Sequence, residues 1–165
     1  MAEFALVAPI FFLLVFTVIQ LGLVMAAQNG LVDGVRSAAR RAATYRINEQ
    51  SLQDTALMSS ICSTIDQELR TRLGTRIIGY SGSSTDPRLT RTIAYEWQTN
   101  PGGTDSFVVA HISAAYRNPL YVPLVSAFLD RADGTTDDQL TLNASEQMRI
   151  ENPALTPSSS VTYTC

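Results

Sequence analysis

The sequence predicts an α+β chain: a long N-terminal hydrophobic helix leading into a small head, in which a second helix packs on a three- to four-stranded antiparallel sheet. Three observations carry this. Residues 4–27 are almost wholly apolar. Leu57, Ile61, Ile65, Leu69 and Leu73 then recur at every fourth position, the stripe of an amphipathic helix. From residue 92 the pattern changes to strict alternation, Ile93, Tyr95 and Trp97 against Thr92, Ala94, Glu96 and Gln98, the signature of a half-buried strand.

The apolar run, FALVAPIFFLLVFTVIQLGLVMAA, has Thr17 and Gln20 as its polar side chains and no charge. As a helix it is about 36 Å long, enough to cross a bilayer. A cleaved signal peptide fits poorly, since it would have a shorter apolar core, a basic flank before it and a small-residue cleavage site after it. Pro9 removes one backbone donor and predicts a local kink or loosened turn, which membrane helices tolerate. Glu3 admits two readings. It is an interfacial carboxylate favoured by the helix dipole, or it is buried in an assembly, where it needs a partner such as a neighbouring subunit's N-terminal amine.

The helix is predicted to continue past the apolar run. Leu31, Val35, Ala38, Ala42 and Tyr45 form a stripe in QNGLVDGVRSAARRAATYR, and Arg36, Arg40 and Arg41 fall largely off it. Pro9, Gly22, Gly30 and Gly34 are the candidate helix-packing positions. Small residues at 26, 27, 30, 34, 38, 39, 42 and 43 permit close approach of another helix. The chain therefore divides into residues 1–47, the transmembrane or assembly helix with its amphipathic extension, and residues 48–165, the head.

Within the head, Ser51-Leu52-Gln53-Asp54 resembles a capping box with Asp in place of Glu or Gln, and Gly74 suits a C-terminal cap. Residues 79–87 read as a loop. Asn100-Pro101-Gly102-Gly103 is a turn signal joining the first strand to a second at Phe107–Arg117. Residues 120–131 suit a short helix or apolar loop and 134–138 a polar loop. Gln139–Ile150 is a third strand, and the tail past Pro153 and Pro157 ends in a candidate edge strand at Ser160–Cys165.

Chemistry-bearing patterns are few. All 12 cationic residues are Arg, which excludes Schiff-base and P-loop lysine chemistry, and the net charge of −3 makes no case for nucleic acid. GxSxG, HExxH, CxxC and Walker sequences are missing, so neither an enzyme nor a cofactor or metal is expected. His111, the only His, reads as structural or solvent-facing, with Val109 and Ser113 on its face of the strand. Asp130, Asp133, Asp137 and Asp138 cluster around a glycine loop, but not with EF-hand spacing. Asn143-Ala144-Ser145 is a glycosylation sequon inside a predicted strand. Cys62 and Cys165 match no zinc or redox spacing. They are a disulfide if the head lies outside the cytoplasm, or two unrelated thiols. A disulfide would close a loop worth roughly 4–5 kcal/mol in the chain-entropy model.

Arg residues following the apolar run would ordinarily hold that end in the cytoplasm. Either the head is cytoplasmic or a basic leader precedes this sequence. The run AEFALVAPIFFLLVFTVIQLGLVM and the following RSAARRAATYR resemble the TadE-like proteins, minor pilins or pseudopilins of the tight-adherence, Flp-type branch of type IV pili. In that family a prepilin peptidase removes a basic leader after a Gly. A glutamate then stands fifth in the mature chain, followed by an aromatic residue, and Glu3-Phe4 matches that pair. The stretches SFVVAHISAAYRNPL (106–120) and QLTLNASEQMRIE (139–151) resemble the family's late strands more loosely, and residues 48–105 carry none of its signatures.

The resemblance implies a structural subunit in the bacterial inner membrane with its head outside the cytoplasm, or at the cell surface in a pilus. It would initiate, prime or tip a tight-adherence pilus and support adhesion. The implied partners are other pilins or pseudopilins, the inner-membrane assembly platform, prepilin peptidase acting on the precursor, and membrane lipid. The competing reading is a solitary signal-anchored envelope binding protein that does not polymerise. An anchored enzyme is a third reading, disfavoured by the missing catalytic constellation.

Overall fold

The computed structural model describes residues 2–47, 49–99, 106–122, 126, 129, 134, 137–150 and 162–165. The predicted turn at 100–103, Asp130, Asp133, and the prolines at 153 and 157 lie outside these residues, as does most of the stretch 120–131.

A single helix, α1 (Ala2–Ala43), spans 42 residues and continues through Pro9. A short α2 (Glu49–Gln53) precedes α3 (Thr55–Arg76). Four strands follow: β1 (Leu89–Thr99), β2 (Ser106–Pro119), β3 (Gln139–Ile150) and β4 (Thr162–Thr164). They make one antiparallel sheet in the order β3-β2-β1-β4. The fold is α+β, as the sequence predicts.

Alternation decides which face of the sheet is covered. Leu89, Ile93, Tyr95 and Trp97 of β1 and Val108, Ala110, Ile112, Ala114 and Tyr116 of β2 point inward and are buried. Both helices cover that face. The second half of α1 runs along β3, with Gln28 Nε2 donating to the Asn143 carbonyl (3.1 Å) and Arg36 pairing with Glu146 (3.8 Å). α3 lies beside α1 on the same face and covers the opposite edge of the sheet, where Asp66 pairs with Arg91 of β1 and Cys62 bonds to Cys165 just after β4. The core joins Leu31, Val35, Ala38 and Ala42 of α1 to Ile65, Leu69 and Leu73 of α3 and to the inner residues of the sheet.

Three local expectations are corrected. The cap of the second helix is Asp54, not Ser51: its carboxylate accepts from the Ala56 and Leu57 amides, both at 3.0 Å. Ser51 lies within α2 instead. Gly74 does not end α3, which runs to Arg76. The Gly82 backbone passes beside Gly74, and a Cβ on Gly74 would stand 3.5 Å from the Gly82 Cα, an ordinary contact. The chain reverses instead at Gly79, at φ +81. Leu57 is exposed, and Met58 takes its place in the core. A four-residue step overshoots the 3.6-residue turn by about 40°, so the stripe drifts around the helix and its first residue falls off the core.

Candidate assembly and anchoring surface

α1 has two different surroundings. From Val7 to Ile19 its large apolar side chains face outward on all sides; Val7, Ile10, Phe11, Phe12, Leu14, Phe16, Val18 and Ile19 are all exposed. The Thr17 hydroxyl donates to the Leu13 carbonyl at 2.7 Å, so the one hydroxyl in the run is satisfied within the helix. That is what an apolar environment requires of a polar group. The helix is long and apolar enough to cross a membrane.

Gln20 marks the change. It is fully buried, and its Oε1 accepts the backbone N–H of Tyr121 at 3.0 Å, on the segment following β2. The head therefore takes hold of α1 while the sequence is still apolar. Further along, Gly30 and Gly34 seat α3: a Cβ on Gly30 would lie 2.9 Å from the Arg76 Cβ, and one on Gly34 would lie 3.3 Å from the Leu73 Cγ. Arg76 also pairs with Asp33 at 3.3 Å. Gly30 and Gly34 thus meet a helix of their own chain. Gly22, by contrast, has nothing within 4 Å of a Cβ. Pro9 lies on the exposed half. Glu3 and Phe4 lie in the first turns of α1, and their side chains are outside the described residues.

Covalent and ionic links hold α3 to the sheet and to the turn that follows it. Cys62 and Cys165 form a disulfide with Cα atoms 6.2 Å apart, and the Cys165 amide donates to the Ile93 carbonyl at 2.9 Å. Asp66 accepts from Arg70 and Arg91. Buried Arg70 also donates to the Tyr80 hydroxyl and to the Ser83 carbonyl, at 3.2 and 2.6 Å. Burial pushes the Tyr80 phenol up, while Arg70 opposes that shift. The hydrogen bonds from Arg88 hold the Asp86 carboxyl below its usual range. These groups splint the turn after α3.

His111 Nε2 lies 3.3 Å from Glu96 Oε2 on the open face of the sheet. A shallow trough on that face is lined by Thr90, Thr92, Ser113, Asn143 and Ser145, with no His, Asp, Glu or Cys in its lining. The Asp138 carboxylate accepts from the Ser126 hydroxyl, and the Asp138 backbone carbonyl accepts from the Leu120 amide. Among the described residues no three His, Cys, Asp or Glu side chains form a metal-binding group.

Gln20 and the Asp66–Arg70–Arg91 cluster are the residues that sequence reasoning missed. The first was detectable as an amide inside an apolar run, the second as an acid–base pair four residues apart on a largely apolar helix face.

Fold and surface together define a class: a small α+β head carried on an apolar helix that projects beyond it and is compatible with membrane anchoring. The family model described as TadE-like protein matches residues 1–40, the projecting half of α1 and most of its buried half. No curated protein and no solved structure matches the chain.

Proposed function

We propose that this protein is a minor pilin or pseudopilin that initiates, primes or tips a tight-adherence type IV pilus, with no catalytic activity of its own. The observation that carries the reading is the bare apolar half of α1, Val7–Ile19, within the 40 residues that match the TadE-like family. A helix with large apolar side chains on every side has two stable surroundings, lipid and other apolar helices. A subunit stored in the inner membrane with its head outside the cytoplasm, then drawn into a helix bundle, uses both in turn. The disulfide suits an oxidising compartment for the head. The partners under this reading are other pilins, the assembly platform and prepilin peptidase.

Glu3→Ala tests it. The residue stands at the start of α1, remote from the head core, so the variant should reach normal levels in the membrane. In a bundle the loss of a carboxylate paired to a neighbour's amine costs roughly 3–5 kcal/mol. Co-purification with partner pilins, and piliation, should therefore fall. Unchanged association would favour a solitary anchored binding protein.

A further inference from the structure

We propose that the base of the head is seated in the membrane interface on a rim of Ile78, Tyr121 and Met25, with lipid as the partner. This rests on the reading that the first half of α1 spans a bilayer.

The argument begins with length. The head first takes hold of α1 at Gln20, and Phe4–Ile19 precede that point. Those 16 residues make about 24 Å of helix, whereas a hydrocarbon core of about 30 Å needs about 20. With Glu3 held at one surface, Gln20 lies about one turn inside the other. Whatever surrounds α1 at that level meets lipid.

The residues there suit that position. Tyr121, whose N–H is bonded to Gln20, is 58% exposed. Its hydroxyl lies 3.2 Å from where a Cβ on Gly79 would stand. Ile78, the preceding residue, is 68% exposed, and Met25, a little more than one turn along α1 from Gln20, is 67% exposed. Single exposed apolar residues are ordinary, but Tyr121 is tied to Gln20 and to the turn that carries Ile78, and Met25 follows closely on α1 itself, so all three lie near the level where the helix enters the head. Tyrosine favours the membrane–water boundary. Two of the backbone groups beside them are paired inside the protein: the Tyr121 amide to Gln20, and the Gly79 carbonyl to Arg88 Nη2 at 2.9 Å. Polar groups near hydrocarbon need such pairing.

Leu57 provides the contrast. α1 and α3 run antiparallel, since Gly30 meets Arg76 and Gly34 meets Leu73 and Leu69. Leu57, 43% exposed at the start of α3, is therefore about 30 Å along that helix from Ile78.

The experiment uses the full chain, whose native cysteines are bonded to each other. Ile78→Cys, Tyr121→Cys and Leu57→Cys are each labelled with an environment-sensitive fluorophore. They are then reconstituted into phosphatidylcholine–phosphatidylglycerol vesicles containing lipid with a nitroxide near the headgroup. Labels at 78 and 121 should shift to the blue and lose most of their emission to the nitroxide, while the label at 57 does neither. If the protein floats with the vesicles but 78 and 121 are quenched no more than 57, the proposal is overturned and the anchor reading stands. A blue shift without nitroxide quenching means that a neighbouring subunit covers the rim, which also overturns it. Failure to float overturns the anchor reading and this proposal together.

Discussion

The two halves of α1 share one backbone conformation and differ in nearly everything else. Between Val7 and Ile19 the outward residues are bulky, with Phe, Leu, Ile and Val on every side. Between Ala27 and Ala42 the buried residues are Ala27, Gly30, Leu31, Gly34, Val35, Ala38, Ala39 and Ala42, mostly small, and they occupy one side. The first half touches little of its own chain, so side-chain volume there is limited only by what surrounds the molecule. The second half touches α3 and the sheet, so volume is limited by how near those backbones come. Head stability should therefore depend on the second half and be indifferent to the first, while membrane retention should show the reverse.

The largest effect tests that separation from the far end of the head. Cys165→Ser opens the loop closed onto Cys62, at a cost of roughly 4–5 kcal/mol in the chain-entropy model. Denaturant unfolding of the detergent-solubilised chain should move to a much lower midpoint, while extraction from membranes is unchanged. Coupled loss of both would mean that the projecting half needs a folded head. Next comes a matched pair of leucines. Leu31→Ala empties a fully buried site and should cost about 3 kcal/mol of head stability. Leu14→Ala removes the same atoms from an exposed site and should leave the unfolding curve where it was. A shift of similar size in both would erase the distinction between the halves.

The smallest effect is also the sharpest. Gly30→Ala places a Cβ 2.9 Å from the Arg76 Cβ, where no flexible side-chain end can give way. Overpacking should outweigh the roughly 1 kcal/mol gained in helix propensity and lower the melting temperature of the head. Gly22→Ala meets nothing within 4 Å and should leave that temperature unchanged. A raised temperature for Gly30→Ala would show that the α1–α3 contact is looser than this packing requires.

Much of the architecture was already written along the chain. The uncharged run, the alternation at 92–98 and the segment at 139–150 each predict an element, because the periods of helix and strand are local properties of the backbone. The same holds for the inward residues of β1, and for the Leu31–Ala42 stripe of α1. The boundaries were harder to read. Ser51 and Asp54 are both good caps, and which one begins α3 depends on where α2 ends. Gly74 has the composition of a helix stop, yet α3 runs two residues past it.

What only the tertiary structure decided is where α1 changes surroundings. By composition the apolar run extends to Ala27, whereas the head takes hold at Gln20, because the segment after β2 folds back and presents the Tyr121 amide to it. The sequence by itself determined that there would be a long helix, a shorter amphipathic one and a sheet, because hydrophobic periodicity is set by neighbours in the chain. The partners of Gln20, Gly30 and Asp66 were decided by residues 101, 46 and 25 positions away, brought near by packing that no local pattern encodes.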